Sequence, residues 1–277
     1  MTIEMDFERR FGGVKRLYGV VGLAKLQASH VCVIGIGGVG SWTAEALARS
    51  AVANITLIDL DNIAESNVNR QIHALEGEFG KAKVTAMAQR IRAINPQANV
   101  HEIEDFVTPE NVADILGRGF DIVLDAIDDV KAKVAVAAYC REHKITLITT
   151  GGAGGRLDAT KIKTADLAYV QGDKLLAKVR NLLRRDFNFP KASNSKKSVK
   201  FGIQAVYSDE QAVKSNAKIP TEDAMGANVH TDSGDACVIE NDSIAGLNCA
   251  GYGSSVCVTA PFGLMATGLA IQQLLRK

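Results

Sequence analysis

Two patterns of apolar residues alternate along the first half of the chain. Short continuous apolar runs, such as VCVIGI at residues 31–36, are typical of parallel strands buried on both faces. Between these runs, apolar residues recur at helical spacing. The predicted strands span residues 31–36, 54–61, 99–105, 120–128 and 145–152, and the predicted helices span residues 37–52, 81–96, 108–117 and 130–143. This alternation predicts a Rossmann-like, doubly wound α/β fold with a mostly parallel sheet.

The pattern becomes more varied after Gly155. Here we predict strands at 160–167 and 202–208, a helix at 172–187 and a long polar loop at 209–243. At the other end, residues 6–29 predict one or two helices that pack on the sheet from outside. The chain shows no internal repeat, and we predict one domain over residues 1–277. Its parts are the N-terminal helices at 6–29, a nucleotide-binding half at 30–155 and a substrate-facing half at 156–277.

Residues 243–275 contain no charged side chain. A membrane-spanning helix needs about 20 apolar residues. This stretch is instead rich in Gly, Ser and Thr, and it contains Asn248 and Pro261. We therefore predict a buried strand followed by a buried helix, with membrane association through this stretch as the alternative.

The composition is that of a globular protein, with 47% hydrophobic residues, 23% charged residues and a net charge of +1. Five cysteines are present and none forms a C-x-x-C pair, which argues against a structural zinc tetrad. The first residues mix acidic, basic and polar side chains and do not resemble a secretory signal. Together with the odd number of cysteines, this predicts a reducing, cytoplasmic location.

A glycine-rich turn follows the first strand. Gly35, Gly37 and Gly40 form a G-x-G-x-x-G motif that also includes Gly38, and Asp59 ends the next strand about 20 residues later. Glycines in this arrangement allow a tight turn and a close approach to phosphates, while the carboxylate accepts from ribose hydroxyls. The motif predicts a nucleotide site, but NAD, FAD and ATP all use it.

Further polar residues follow in an order that a dehydrogenase does not need. After Asp59 come Asp61, Asn67, Arg70, Gln71, Lys83 and Asp128. Attack of a carboxylate on the ATP α-phosphate would use two cations to neutralise developing charge, and an Asp to hold Mg²⁺ across the phosphates. We therefore name Arg70, Lys83 and Asp128 as the catalytic candidates. Taken singly, the two cations could form surface salt bridges and Asp128 could cap a helix.

Positive charge is concentrated in the second half of the chain. Residues 161–200 contain eleven Lys or Arg and three Asp or Glu, a net charge of 11 − 3 = +8. A solvated helix face plus a loop is one interpretation of such a run. A surface that contacts nucleic-acid phosphates is the other.

As an ordered set, GIGGVG, DLDNIAESNVNRQIH, GKAK and DAIDD, with RRFGG upstream, resemble the ThiF/MoeB/ubiquitin-activating superfamily of adenylating enzymes. The resemblance implies a Rossmann-like sheet, usually in a homodimer. The roles it implies are ribose binding for Asp59, phosphate contacts for Asn67, Arg70 and Lys83, support of these by Gln71, Mg²⁺ positioning for Asp128, and a contact of Arg10 with the ATP of the partner subunit.

Longer stretches, including RFGGVKRLYG, TTGGAGG and NCAGYGSSVCVTAPFG, resemble one family within this superfamily, the tRNA threonylcarbamoyladenosine dehydratases. That resemblance implies ATP-dependent cyclisation of N6-threonylcarbamoyladenosine in tRNA through an acyl-adenylate, with AMP and pyrophosphate as products. A bound monovalent cation and a cysteine-desulfurase partner are further expectations. We predict that tRNA phosphates are contacted by Arg184, Arg185, Lys196 and Lys197. Cys249 is the candidate for sulfur or partner chemistry, and a buried apolar role is the alternative.

Three other functions remain in competition. An adenylating activator of a small ubiquitin-like or sulfur-carrier protein would use the same cleft, although such enzymes usually have two C-x-x-C pairs. An NAD-dependent oxidoreductase would leave Arg70, Lys83 and Asp128 without roles. A non-catalytic tRNA- or membrane-binding module would need none of the three.

Overall fold

A seven-stranded sheet forms the centre of the computed structural model, which describes residues 6–191, 199–213 and 252–276. Along the chain, the strands within these residues are β1 (His30–Ile34), β2 (Asn54–Ile58), β3 (Asn99–Ile103), β4 (Ile122–Asp125), β5 (Thr146–Thr150), β6 (Ile162–Asp166) and β7 (Gln204–Ser208). Across the sheet, the order is β3-β2-β1-β4-β5-β7-β6. Every pair is parallel except β6 with β7, so the mostly parallel, doubly wound sheet is confirmed.

The chain reverses direction across the sheet between β1 and β4. β1 pairs with β2 on one side and with β4 on the other, and β3 lies beyond β2. The crossover connections on the two sides of this point diverge and leave a crevice at the carboxyl ends of the strands. In open α/β sheets such a crevice is where ligands bind.

Helices cover both faces of the sheet. The helices are α1 (Phe7–Ala28), α2 (Gly40–Arg49), α3 (Lys83–Ile94), α4 (Val112–Leu116), α5 (Val130–Glu142), α6 (Lys174–Asp186) and α7 (Val256–Arg276). One apolar core lies between the sheet and α2, α3 and α7, and includes the fully buried Leu47, Met87 and Phe262. The second core lies under α4, α5 and α6, so both faces of the parallel strands are buried as their apolar runs predict.

Several predicted boundaries are corrected. The strand predicted at 120–128 ends at Asp125, because Asp129 Oδ1 accepts from Ala132 N at 2.7 Å and starts α5 there. Asp128 therefore lies in a loop and does not end the strand. α4 begins at Val112 and not at Thr108, whose N–H donates to Asn111 Oδ1 at 2.8 Å in a preceding turn.

The N-terminal helix α1 confirms the helical prediction for residues 6–29. It breaks at Gly19, where φ is +76°, a conformation that favours glycine. The Asp6 side chain accepts from Arg9 N at 2.9 Å and starts the helix.

The C-terminal helix α7 is long and apolar enough to cross a membrane by length and composition alone. It packs against α1, α2 and the sheet, and Phe262, Ala266 and Ala270 are fully buried. The predicted buried helix is thus present, while the strand predicted before it and most of the loop predicted at 209–243 lie outside the described residues.

Gly155 links two segments that are distant along the chain. Its N–H donates to Gly253 O at 2.7 Å, and its carbonyl accepts from Val213 N at 2.8 Å. The residues on either side of the interval 214–252 are therefore held at one point, beside the loop that follows β5.

Candidate nucleotide-binding and catalytic site

A cleft opens at the carboxyl ends of five strands. It is lined by the segments that follow them, namely residues 35–39, 59–61, 105–107, 126–128 and 150–154. The lining is completed by Arg70, Gln71, Lys83, Ser254 and Thr259. This is the crevice at the switch point between β1 and β4, so the structure brings most of the predicted site residues together there.

The glycine turn is shaped to receive a ligand. Gly35 has φ +83°, and its N–H donates to Ile58 O at 2.8 Å. A Cβ atom at Gly40 would overlap the Gly35 carbonyl oxygen, whereas one at Gly37 would meet nothing within 4 Å. Gly40 thus lets α2 pack against β1, and Gly37 faces open space. No side chain caps the start of α2, and the positive end of a helix attracts anions.

Asp59 is buried at the end of β2. Its Oδ2 accepts from Ile36 N at 2.6 Å and its Oδ1 accepts from Asp61 N at 2.9 Å. Burial raises the pKa of this carboxyl, and Lys83 and the two backbone N–H groups oppose that effect. The backbone bonds fix the carboxylate at the edge of the cleft and leave lone pairs on both oxygens for a ribose hydroxyl.

Lys83 forms the cationic side of this corner. Its side chain is buried, and its Nζ donates to Asp61 Oδ2 at 2.6 Å and lies 3.9 Å from Asp59 Oδ1. The Lys83 side chain is therefore paired with two carboxylates. It can exchange the partly exposed Asp61 for another anion in the cleft.

Arg70 also lines the cleft, where its side chain lies against Gly38. Its Nη1 donates to Ser66 O at 2.8 Å and to Asn69 Oδ1 at 3.0 Å, and its carbonyl accepts from Trp42 Nε1 at 3.0 Å. Burial lowers the pKa of the guanidinium, and the charge of Asp128 opposes this. The opposite charges of Arg70 and Asp128 therefore attract each other at the mouth of the cleft.

Two predicted residues next to Arg70 have different surroundings. Asn67 is buried within its own turn, where its Oδ1 accepts from Ala64 N at 3.1 Å, and it is not among the described residues that line the cleft. Gln71 does line the cleft, and its Oε1 is buried without a hydrogen-bond partner. Its proposed support of the phosphate contacts stays a prediction, as does the direct contact proposed for Asn67.

In the part of the chain that the structure describes, two buried polar atoms without hydrogen-bond partners line the cleft. Besides Gln71 Oε1, the hydroxyl of Thr259 is buried and makes no hydrogen bond. An orphaned buried polar group costs about 1–3 kcal/mol, so such groups mark positions where a polar ligand completes the structure. Within the described ranges, no group of three or more His, Cys, Asp or Glu side chains is placed to hold a metal ion.

Comparison with known proteins identifies the family. The sequence profile of the ThiF family matches residues 11–276. The chain belongs to the ThiF family. The tRNA threonylcarbamoyladenosine dehydratase of Haemophilus influenzae is 45% identical over 273 residues, which cover 98% of this chain and 95% of that protein.

Solved ThiF-family structures show the same architecture. The crystal structure of the Escherichia coli tRNA N6-threonylcarbamoyladenosine dehydratase in complex with ATP superposes with a TM-score of 0.81 at 42% identity, and covers 100% of this chain and 98% of that one. Similarity to the molybdopterin-synthase adenylyltransferase of Haemophilus influenzae is shorter. It is 34% identical over 137 residues, half of this chain and 55% of that protein.

Arg10, Arg184 and Arg185 are not among the residues that line the cleft of this ThiF-family chain. Arg10 Nη1 donates to Ala93 O at 3.3 Å and to Ile94 O at 2.8 Å, at the end of α3. Arg184 Nε donates to Pro190 O at 3.1 Å, and Arg185 pairs with Asp186 at 2.7 Å. Lys196, Lys197 and Cys249 lie outside the described residues.

Sequence reasoning missed a network beneath the cleft of this ThiF-family protein. Asp125 and Lys133 form a buried ion pair at 2.9 Å, and Thr149 donates to the same carboxylate at 2.7 Å. Asp173 fixes the glycine loop after β5 by accepting from Gly152 N at 2.9 Å. Asp125 ends a strand and Lys133 lies on the following helix, eight residues later. No sequence motif with this spacing predicts that the two side chains pair.

Proposed function

We propose that this protein catalyses the ATP-dependent cyclisation of N6-threonylcarbamoyladenosine in tRNA, with loss of water, through an acyl-adenylate that yields AMP and pyrophosphate. The observation that carries the proposal is similarity over essentially the whole chain to dehydratases with this substrate in their names, at 45% identity. The adenylyltransferase relative matches only half of the chain, which favours the tRNA substrate over a carrier protein.

The cleft fits ATP on three grounds. The glycine turn leaves open space at Gly37, the positive end of α2 attracts anions, and Gln71 and Thr259 offer unpartnered polar atoms. Asp59, held by two backbone N–H groups, would accept from the ribose hydroxyls. The E. coli relative whose structure covers this whole chain was crystallised with ATP, which supports the same ligand here.

In the proposed reaction, the threonine carboxylate of the modified base attacks the α-phosphate. Arg70 turns from Ser66 O, and Lys83 from Asp61, so that two cations stabilise the charge that develops on the phosphate oxygens. Mg²⁺, when bound with ATP, would supply further charge neutralisation. Asp128, exposed at the cleft mouth and facing Arg70, is the carboxylate that would hold it.

Ring closure needs little further help from the protein. The carbamoyl group and the activated carbonyl belong to the same nucleoside, so the second step is intramolecular and gains from proximity. Residues 150–154, held by Asp173, form the side of the cleft where the modified base would enter. We assign no covalent nucleophile, and the predicted role of Cys249 with a cysteine-desulfurase system stays a proposal.

The proposal extends to assembly and location. Leu17, Val20 and Val21 are each at least 67% exposed on α1, an apolar surface suited to a second copy of the chain, and a homodimer would bring Arg10 to a neighbouring subunit. Since α7 is packed as a core helix, we favour a cytoplasmic enzyme over a membrane-associated one. A bound monovalent cation rests on the family resemblance alone.

The decisive test incubates the purified protein with Mg-ATP and tRNA that carries threonylcarbamoyladenosine. We expect that nucleoside to lose the mass of one water, and AMP and pyrophosphate to form in equal amounts. An unchanged nucleoside, together with pyrophosphate exchange that depends on a carrier protein ending in Gly-Gly, would favour the carrier-activating function instead.

A further inference from the structure

A fully buried ion pair lies beneath the cleft. Asp125 is the last residue of β4 and Lys133 is on the first turns of α5, and each is 1% exposed. Lys133 Nζ lies 2.9 Å from Asp125 Oδ2 and 3.1 Å from Thr149 Oγ1. An ion pair withdrawn this completely from water often stabilises a fold no more than apolar residues of the same size would, so stability alone gives a weak reason for it.

The carboxylate of Asp125 joins three parts of the site. Its Oδ2 accepts from Lys133 on α5 and from Thr149 Oγ1 on β5, the latter at 2.7 Å. Its Oδ1 accepts from Ile127 N at 3.2 Å, in the loop that leaves β4. Thr150 Oγ1 donates to the Asp125 carbonyl at 3.3 Å. The orientation of this one carboxylate therefore sets the position of the 126–128 loop relative to α5 and β5.

That loop is a wall of the nucleotide cleft. Ala126, Ile127 and Asp128 all line it. Ile127 Cγ2 and the Ala126 carbonyl lie 3.0 and 3.1 Å from where a Cβ atom of Gly35 would be, so the loop packs directly on the glycine turn. The loop also carries the Asp128 charge that acts on Arg70.

Lys133 cannot act on a bound nucleotide by contact. Its side chain is 0% exposed and is absent from the residues that line the cleft. Its ammonium instead fixes the rotamer of Asp125, which leaves Oδ1 directed at Ile127 N. Small displacements of a group that acts at the reacting centre are costly, since about 1 Å of misplacement can lower a rate by roughly 100-fold.

We propose that Lys133 is a positioning residue for the adenylation step: through Asp125 it holds the 126–128 loop so that Asp128 faces the phosphates and Arg70. The expected effect of Lys133 on the adenylation rate rests on the proposed function, whereas its expected effect on the position of the 126–128 loop does not. The geometry that carries it is the chain of contacts from Lys133 Nζ to Asp125 and on to Ile127 N.

A double-mutant cycle tests the proposal. Lys133→Met and Asp125→Asn each leave a buried charge without its partner, and each is expected to lower kcat by about 10- to 100-fold with little change in KM for ATP. In the double variant, the amide oxygen introduced by Asp125→Asn can still accept from Ile127 N while the amide NH₂ group donates to Thr149. We therefore expect the double variant to recover most of the lost kcat, measured well below the Tm of each protein.

Two readouts do not depend on the tRNA reaction. Hydrogen exchange at Ile127 N–H should be faster in each single variant and slow again in the double variant. The gain in ATP affinity on adding Mg²⁺, followed by the fluorescence of Trp42, the chain's one tryptophan, should shrink in the single variants and return in the double variant. If wild-type protein leaves modified tRNA unchanged, the proposed function fails, and these two readouts still decide the role of Lys133.

Arg90→Met is the matched control. Arg90 pairs with the buried Glu45 at 2.6 Å, between α2 and α3, and neither side chain lines the cleft. It should lower Tm and leave kcat and exchange at Ile127 unchanged. Unchanged kcat and exchange in Lys133→Met would overturn the proposal, and so would a double variant as impaired as Lys133→Met, because Lys133 would then act without Asp125.

Discussion

His73 shows how one buried side chain links the site to pH. It is 3% exposed, and both ring nitrogens lack hydrogen-bond partners among the described residues. Burial, helped by the charges of Lys83 and Arg90, lowers the pKa of His73 to about 4. The ring is therefore neutral at physiological pH and does not add to the charge of the neighbouring Lys83.

The stability of the protein should fall as the solution is acidified from about pH 6.5 to about pH 4. In this window the unfolded chain binds a proton at His73 and the folded chain does not, so the free energy of unfolding decreases by about 3 kcal/mol. His73→Leu should remove most of that dependence. Urea unfolding at several pH values measures it, and the same slope in both proteins would contradict the assignment.

Thr259 and Thr267 allow a matched comparison on α7. Thr259→Val replaces a buried hydroxyl without a partner and should leave Tm unchanged or higher, but weaken Mg-ATP binding about tenfold because the ligand loses a donor. Thr267→Val removes hydrogen bonds to Thr43 O and Gly263 O, each 3.1 Å long. It should lower Tm and spare ATP affinity. Calorimetry gives both quantities, and equal ATP affinity in the two variants would exclude the hydroxyl of Thr259 from the site.

The sequence predicts which residues meet in the cleft better than it predicts their hydrogen bonds. Asp59 follows from spacing, because the ends of neighbouring parallel strands meet at one edge of the sheet. Arg70 and Lys83 do not end strands, and they were predicted from the order of the polar residues and from the family resemblance. The hydrogen-bond partners of Arg10 do not follow from spacing, because its side chain bonds to whichever backbone groups the tertiary fold brings near. That choice is made by residues far away in sequence, such as Ala93 for Arg10.

At the scale of elements, the junction between β1 and α2 carries the nucleotide site, and its glycines have separable roles. Gly40→Ala would force α2 away from the Gly35 carbonyl, so we expect a large loss of Tm together with loss of ATP binding. Gly37→Ala meets no protein atom and should leave Tm nearly unchanged. It should still weaken ATP binding, because its methyl group would occupy space next to the phosphates. ATP titrations and thermal melts of both variants check this, and a Gly37→Ala protein with normal affinity would place the phosphates elsewhere.

Element types were predictable and element ends were less so. β1, β2, β4 and β5 follow from apolar runs that only a sheet covered on both faces can bury, whereas the edge strand β3 exposes Asn99 and His101. The end of β4 at Asp125 depends on the cap formed by Asp129, and two adjacent aspartates in the sequence do not reveal which one caps. The break at Gly19 is similarly hidden, because a glycine in a helical pattern is as compatible with a continuous helix as with a kink.

At the scale of the whole molecule, the excess positive charge in the second half predicts how tRNA binding depends on salt. Lys174 and Lys178 are exposed on α6, whereas Arg184 and Arg185 are already bonded within the protein. The double change Lys174→Glu/Lys178→Glu should weaken tRNA binding and reduce the slope of log K against log salt by about 1 to 2. Arg118→Glu, outside the basic segment, is the control.

Binding measured between about 50 and 200 mM salt tests that prediction. An unchanged slope in the double variant would mean that α6 does not contact the phosphates. Equal effects of the Arg118 change would indicate a response to net charge rather than to a defined surface.

Strand order in the second half was not accessible from the sequence. Strands at 160–167 and 202–208 were predicted, but β7 inserts beside β5 and leaves β6 as the antiparallel edge strand. The apolar pattern indicates that a strand is buried, but it does not indicate its neighbour. That placement brings the second half of the chain into the same sheet as the nucleotide half.

The paired bonds at Gly155 have a consequence for how this protein can be altered. Val213 and Gly253 are both hydrogen-bonded to Gly155, so both ends of a segment inserted between them lie at Gly155, beside the cleft. Lengthening such an insert changes its closure entropy only slowly with length. A segment that binds a different RNA could therefore be inserted beside Gly155 without changing the residues that line the nucleotide cleft.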